Sequence, residues 1–154
     1  MTQSIVSEMR VALPPARAFA RFVDDLGLWW PLAYTWSGAR FATARIDDRA
    51  GGRWFETTRD GEDKPWGDVR VFEPGARVVL GFNVGADRRP EPPERQSEVE
   101  IAFIPDGEGT GIRVEHRDLD KHGDGAEAIR QGMGSDQGWP LILAEFEREI
   151  RRAG

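Results

Sequence analysis

Between residues 4 and 13, SIVSEMRVAL, the odd positions carry Ile5, Met9, Val11 and Leu13 with only Ser7 polar among them, which predicts a half-buried strand. After Pro14 and Pro15 the period turns helical, and Ala16, Phe19, Ala20, Phe22 and Val23 share one side up to Asp24. Gly27 is expected to stop that helix, and LWWP then forms a short aromatic turn or second helix closed by Pro31. From residue 41, strand-like runs recur between turn signals at 41–47, 52–59, 66–73, 77–84, 97–104 and 110–118, giving six further strands joined by hairpin-type turns. The charged, proline-rich stretch 85–96, GADRRPEPPERQ, reads as a long surface loop between two of them. Helical spacing returns after Gly123 with Ala126, Ile129 and Met133, and continues through Trp139, Ile142, Leu143, Phe146 and Ile150. Gly134, Gly138 and Pro140 are expected to kink or divide this helix. Its last turns set Glu145 against Arg148, Glu147 against Arg151 and Glu149 against Arg152 at helical spacing.

Seven antiparallel strands have one face to bury, and only the C-terminal helix is long enough to cover it. The expected architecture is α+β, a helix-grip fold. A seven-stranded curved antiparallel sheet surrounds a long C-terminal helix, with two short helices between strands 1 and 2. Strong curvature around one helix leaves a cavity, which the aromatic segment GLWWPLAYTW at 27–36 is placed to cap.

Composition narrows the function. The 154 residues, 39% hydrophobic and 31% charged, fit a single soluble domain over 1–154. The longest nearly apolar run, 26–34, is far shorter than the ~20 residues that span a bilayer, so no membrane partner is expected. The start, MTQSIVSEMR, lacks a basic region followed by an apolar stretch, and the expected location is cytoplasmic. With no cysteine there is no disulfide, thiolate nucleophile or cysteine-bound metal. A net charge of −6, with no basic cluster left unbalanced by nearby acids, argues against nucleic acid. Gly51-Gly52 precedes a strand rather than a helix, the wrong setting for a phosphate loop, and no cofactor is expected. A homodimer is compatible with the sequence.

Six tryptophans are many for one small core. Trp29, Trp30, Tyr34 and Trp36 read either as a lid whose rings line a cavity mouth or as packing between the short helix and the sheet. In GIRVEHRDLDKHG the alternation groups Ile112, Val114 and His116, so His116 points inward, as a hydrogen-bonded core residue or as a group that moves a proton. Extending the alternation aligns His116, Asp118, Asp120 and His122, a set that could hold a divalent cation. The strand must end near Leu119, however, so no metal site is expected.

The segments PPARAFARFV, WWPL, GGRWFE…DG…WGDVRVFEP, SEVEIAFIPDGEGTGIRVEHRDLDKHG and the closing GW…L…F helix together resemble the START-like (SRPBCC) superfamily. Within it, the chain is similar to free-standing domains like the C-terminal domain of the heat-shock-protein-90 ATPase activator. That superfamily includes lipid carriers, plant hormone receptors and polyketide cyclases, so the resemblance implies the fold more narrowly than the function. It implies that the ring after Gly-Gly-x, Trp54, points inward and carries Glu56 with it. An inward carboxylate needs a partner, with Arg70 and His116 as candidates, and reads as a polar anchor or general base or as a structural ion pair. The candidate ligand-binding residues are then Trp29, Trp30, Trp36, Trp54, Glu56, Trp66, Arg70, Phe103, His116, Met133 and Trp139. His116 and Glu56 are the candidates for proton transfer. The first reading is a module that encloses a small hydrophobic molecule, lipid-like or aromatic. The second is an enzyme of cyclase, aromatase or hydratase type that uses the same cavity. A co-chaperone role is third: the activator has an additional N-terminal domain that this length is not expected to accommodate, and the pattern predicts no exposed apolar or charged docking face.

Overall fold

The computed structural model describes residues 4–85, 87 and 89–153. Positions 86 and 88 of the expected loop, and positions 1–3 of the start read for a leader, lie outside the described residues. The elements run β1 (Ile5–Val11), α1 (Pro15–Asp24), α2 (Leu26–Trp29), β2 (Phe41–Ile46), β3 (Arg53–Thr58), β4 (Asp63–Glu73), β5 (Arg77–Phe82), β6 (Ser97–Asp106), β7 (Gly109–Arg117), α3 (Ala126–Gly134) and α4 (Trp139–Ala153). The seven strands form one antiparallel sheet in the order β1-β7-β6-β5-β4-β3-β2, curled into a half-barrel with the C-terminal helical segment against it. This is the α+β helix-grip fold.

Alternation is cleanest where one face is buried and the other charged. In β6, Val99, Ile101 and Phe103 are buried, and in β7 Ile112, Val114 and His116 are fully so. The intervening residues build an ion-pair ladder on the outer face, where Arg117 bonds Glu98 at 2.7 Å and Glu100 at 2.6 Å. Both carboxyls are held below their usual range against a desolvation cost, Glu98 by Arg117 and Arg70 and Glu100 by Arg117 and Arg77. On the inner face, Phe103 meets Phe19 and Phe22 of α1 edge-on, and Phe22 meets Phe146 of α4 at 5.1 Å between centroids. Ala18 completes the buried face of α1, and the expected Ala16 and Ala20 are exposed.

Two departures have local causes. Strand β4 starts at Asp63 rather than 66, because Pro65 sits beside a bulge instead of ending a turn: Trp54 pairs with Gly67 and Phe55 with Pro65, leaving Trp66 as the extra residue. Gly27 does not stop a helix; it lies inside α2. A Cβ there would fall 2.3 Å from Thr43 Oγ1 and 3.0 Å from Ala44 N, so the glycine permits close approach to β2. Changing Gly27 to alanine is expected to destabilise by about 1 kcal/mol, since overpacking of roughly 1–3 kcal/mol outweighs the ~1 kcal/mol a long helix interior gains from alanine. A raised denaturation midpoint for Gly27→Ala would show that Thr43 yields freely.

The expected C-terminal helix is divided into α3 and α4. Ser135 is extended (φ −79°, ψ 174°), and a Cβ on Gly138 would meet Met133 O at 2.1 Å. Pro140 falls in the first turn of α4, where the ring costs no hydrogen bond. All three anticipated Glu–Arg pairs of α4 form.

Candidate functional site

A cavity of about 560 Å³ opens between the sheet, α3 and the segment that follows α2. Trp54 of β3, Trp66 of β4 and Phe82 of β5 supply the sheet side, Ile129 and Met133 of α3 the helical side, and Trp30, Tyr34 and Trp36 the strap across it. Trp30 is the hub of the aromatic wall, with its ring 5.0 Å from that of Trp66 and 5.9 Å, edge-on, from that of Trp54. Among the described lining residues there is no Asp, Glu, Lys, Arg or His. An apolar, half-enclosed space of this size takes a drug-sized molecule.

Glu56 fixes the strap. The alternation that buries Trp54 and Thr58 also buries Glu56 completely. Its Oε1 accepts Trp36 N–H at 2.6 Å and the Trp66 indole N–H at 2.7 Å. Its Oε2 accepts Ser37 N–H at 2.9 Å and the Ser37 hydroxyl. The partners expected from sequence, Arg70 and His116, are not the ones it uses. Further ties close the strap: the Trp36 indole donates to Pro65 O at 3.0 Å, that of Trp30 to Tyr34 O at 3.1 Å, and the Tyr34 hydroxyl to Gln137 O in the α3–α4 connection.

His116 is fully buried one layer behind the wall, with Phe82 between it and the cavity, ring centroids 4.6 Å apart. The Trp139 indole can only donate, so its 3.1 Å bond to His116 Nδ1 places the ring proton on Nε2. That proton goes to Ser97 Oγ at 2.7 Å, and the Ser97 hydroxyl then donates to His122 Nε2, also at 2.7 Å. His122 Nε2 further accepts Ser97 N–H at 3.3 Å, which leaves its own proton on Nδ1, 3.9 Å from Glu91 Oε1. Burial, reinforced by His122, pushes His116 down to about 3, and burial also lowers His122. Both rings are neutral at pH 7. The anticipated alignment with Asp118 and Asp120 is broken, because β7 ends at Arg117 and Asp118 turns left-handed at φ 59°. Among the described residues no group of three His, Cys, Asp or Glu could hold a metal ion.

Residues 12–151 match the family described as Activator of Hsp90 ATPase homolog 1-like protein. The chain belongs to this family. Its START-like fold is shared by an anthrahydroquino-γ-pyrone synthase, Txn09, at 26% identity over 96% of each chain with a TM-score of 0.65. The chain is likewise similar to CalC, a self-sacrificing resistance protein from Micromonospora echinospora, at 27% identity over 98% of this chain and 96% of that one, TM-score 0.66. Protein NE0264 from Nitrosomonas europaea, 18% identical over 98% and 96% of the two chains, TM-score 0.69, shares the fold. No curated protein matches the sequence. Among the described residues no helix is long and apolar enough to cross a membrane.

Within this family member, the structure brings Trp30, Trp36, Trp54, Trp66 and Met133 together on the cavity wall. The other candidates lie elsewhere. Trp29 is buried against Phe22 and Phe146, its indole bonded to Phe22 O at 3.2 Å. Phe103 packs on α1, and Trp139 is wholly enclosed beside His116. Arg70 is the extra residue of a second bulge, Val69 pairing with Leu80 and Val71 with Val79, and it turns to Asp68 and Glu98. Phe82 and Val84 were missed as wall residues. Their signal is the alternation Val78, Leu80, Phe82, Val84, which runs straight into the cavity.

Proposed function

We propose that the chain is a binding module that encloses a small, largely apolar molecule, lipid-like or aromatic, in the tryptophan-walled cavity. The carrying observation is that four of the six tryptophans line about 560 Å³ of open space rather than packing it shut. No acidic or basic side chain shares the described wall, so the enclosed molecule is held by ring faces and shape. Stoichiometric adduct on native mass spectrometry of the protein as purified, lost after organic extraction, is the expected result. No adduct, together with no thermal shift across a panel of lipids and aromatic compounds, would overturn the reading.

A second reading has one observation in its favour, the 26% identity to a synthase of the same fold. In that reading the cavity folds a reactive chain and guides its ring closure by shape. Among the described residues the wall offers one ionisable group, the Tyr34 hydroxyl, already committed to Gln137 O. Turnover of a bound compound that persists in a Tyr34→Phe variant would identify shape-guided catalysis. Binding without turnover supports the module.

A further inference from the structure

We propose that the cavity selects an uncharged aromatic compound carrying a carbonyl oxygen, and that the Trp54 indole N–H is the donor that recognises this oxygen. The inference rests on the cavity reading above and narrows it to a ligand class and a residue. Three of the four wall tryptophans have their single donor engaged: Trp30 to Tyr34 O, Trp36 to Pro65 O and Trp66 to Glu56. Trp54 differs. It is 2% exposed, and its Nε1 is buried with no hydrogen-bond partner among the described residues. The other buried side-chain atoms in that condition belong to Asn83, Gln96 and His122, none of which lines the cavity. A buried indole N–H normally finds an acceptor, and the edge-on rings of Trp30 and Trp66 offer only weak π acceptance.

The three wall hydroxyls among the described residues are spent locally. The Thr35 hydroxyl donates to Leu32 O, that of Ser135 to Gly132 O and that of Tyr34 to Gln137 O, and Gln137 itself is exposed. Among the described lining side chains, the buried unpaired donor for a ligand oxygen is Trp54, whose Nε1 is itself covered, so the contact requires that ring to turn toward the space. A neutral carbonyl asks for one such donor. A carboxylate or phosphate asks for several donors or a cation, and the described wall supplies neither. The tryptophan faces favour a flat ring system as the body of the ligand.

Three probes with one ring body separate the parts: 2-acetylnaphthalene, 2-ethylnaphthalene and 2-naphthoate, each titrated into the wild-type protein and a Trp54→Phe variant. In the wild type the ketone is expected to bind about five- to tenfold more tightly than the ethyl compound, the worth of one neutral hydrogen bond, and the carboxylate at least about tenfold more weakly than the ketone. Trp54→Phe should abolish the ketone's advantage over the ethyl compound; this ratio discounts any general change in the cavity. Should that variant fail to fold, the indole N–H resonances of ¹⁵N-labelled wild-type protein give the same answer: the Trp54 signal moves downfield with the ketone and not with the hydrocarbon. Equal affinity for ketone and hydrocarbon, or a preference that survives Trp54→Phe, overturns the assignment to Trp54 while leaving the cavity reading intact. Naphthoate bound as tightly as the ketone overturns the selection for uncharged ligands. Absence of binding by all three overturns the inference together with the reading beneath it.

Discussion

Replacing Glu56 by leucine is expected to lower folding stability by about 3–5 kcal/mol and to free the strap over the cavity. Leucine removes the acceptor of Trp36 N–H, Ser37 N–H and the Trp66 indole together, while the Ser37 hydroxyl can turn to another acceptor. Each buried donor left unpaired costs about 1–3 kcal/mol. The two backbone groups can reach water if the strap lifts, which limits the total; the Trp66 indole, on a side chain 4% exposed, cannot. Glutamine separates the electrostatic from the geometric part. It keeps one acceptor oxygen for Trp36 and Trp66 and sets an amide against Ser37, whose hydroxyl can accept, so about 1–2 kcal/mol is expected for Glu56→Gln. Urea denaturation of both variants, with hydrogen exchange at the Trp36 and Ser37 amides, checks the result. A leucine variant within about 1 kcal/mol of wild type with both amides still protected would remove Glu56 from this role.

The same geometry bears on the readings that sequence left for this carboxylate: its partners are neutral donors, and among the described residues no cation pairs with it. An ionised carboxylate has about four lone-pair sites, and here four donors occupy them. None is left to take a proton from a substrate. Glu56 reaches the cavity only through Trp36 and Trp66, as a positioning residue.

How much of this was legible follows from what each signal measures. Period-2 alternation made the His116 row readable from the chain, and Phe82 and Val84 in principle. It also grouped Trp54 with Glu56, but that this pair points inward was implied by the family resemblance, since Phe55 of the opposite row is buried as well. Bulges break that parity without a strong mark in the sequence. Arg70 and Trp66 are both extra residues of bulges, and only one of them turns inward to the cavity. Trp29 and Trp30 are neighbours at a helix end, and a turn of about 100° between them sends one into the core and the other to the wall. Nothing local to the WW pair says which, because the choice depends on where the sheet lies. The Ser37 tether was invisible for a related reason: bonds from backbone N–H to a side chain nineteen residues away leave no periodic trace.

Lowering the pH from 7 to 5 is expected to cost the wild-type protein about 2 kcal/mol through His116 alone, before the exposed carboxylates begin to titrate. The folded ring sits near 3, held there by burial and by His122, against an ordinary value of 6.5 for the unfolded chain. Between those values the unfolded chain takes up a proton that the folded protein refuses. Stability is therefore complete above about 6.5 and falls by about 1.4 kcal/mol per pH unit as the pH drops toward 3. The refusal has a structural origin: Nδ1 faces the Trp139 N–H, so a proton there would set two donors against each other, and Nε2 already carries its proton toward Ser97. His122 adds a drop of the same sign, its own value lowered by burial and Arg95 and partly restored by Glu91. His116→Gln removes one of the two titrations. Its loss of stability from pH 7 to pH 5 should be smaller than that of the wild type by about 2 kcal/mol, whatever the variant's stability at pH 7. Urea midpoints at the two pH values measure this difference directly. Equal losses in the two proteins would mean that His116 takes up its proton in the folded state, and that Trp139 and Ser97 do not hold the ring neutral.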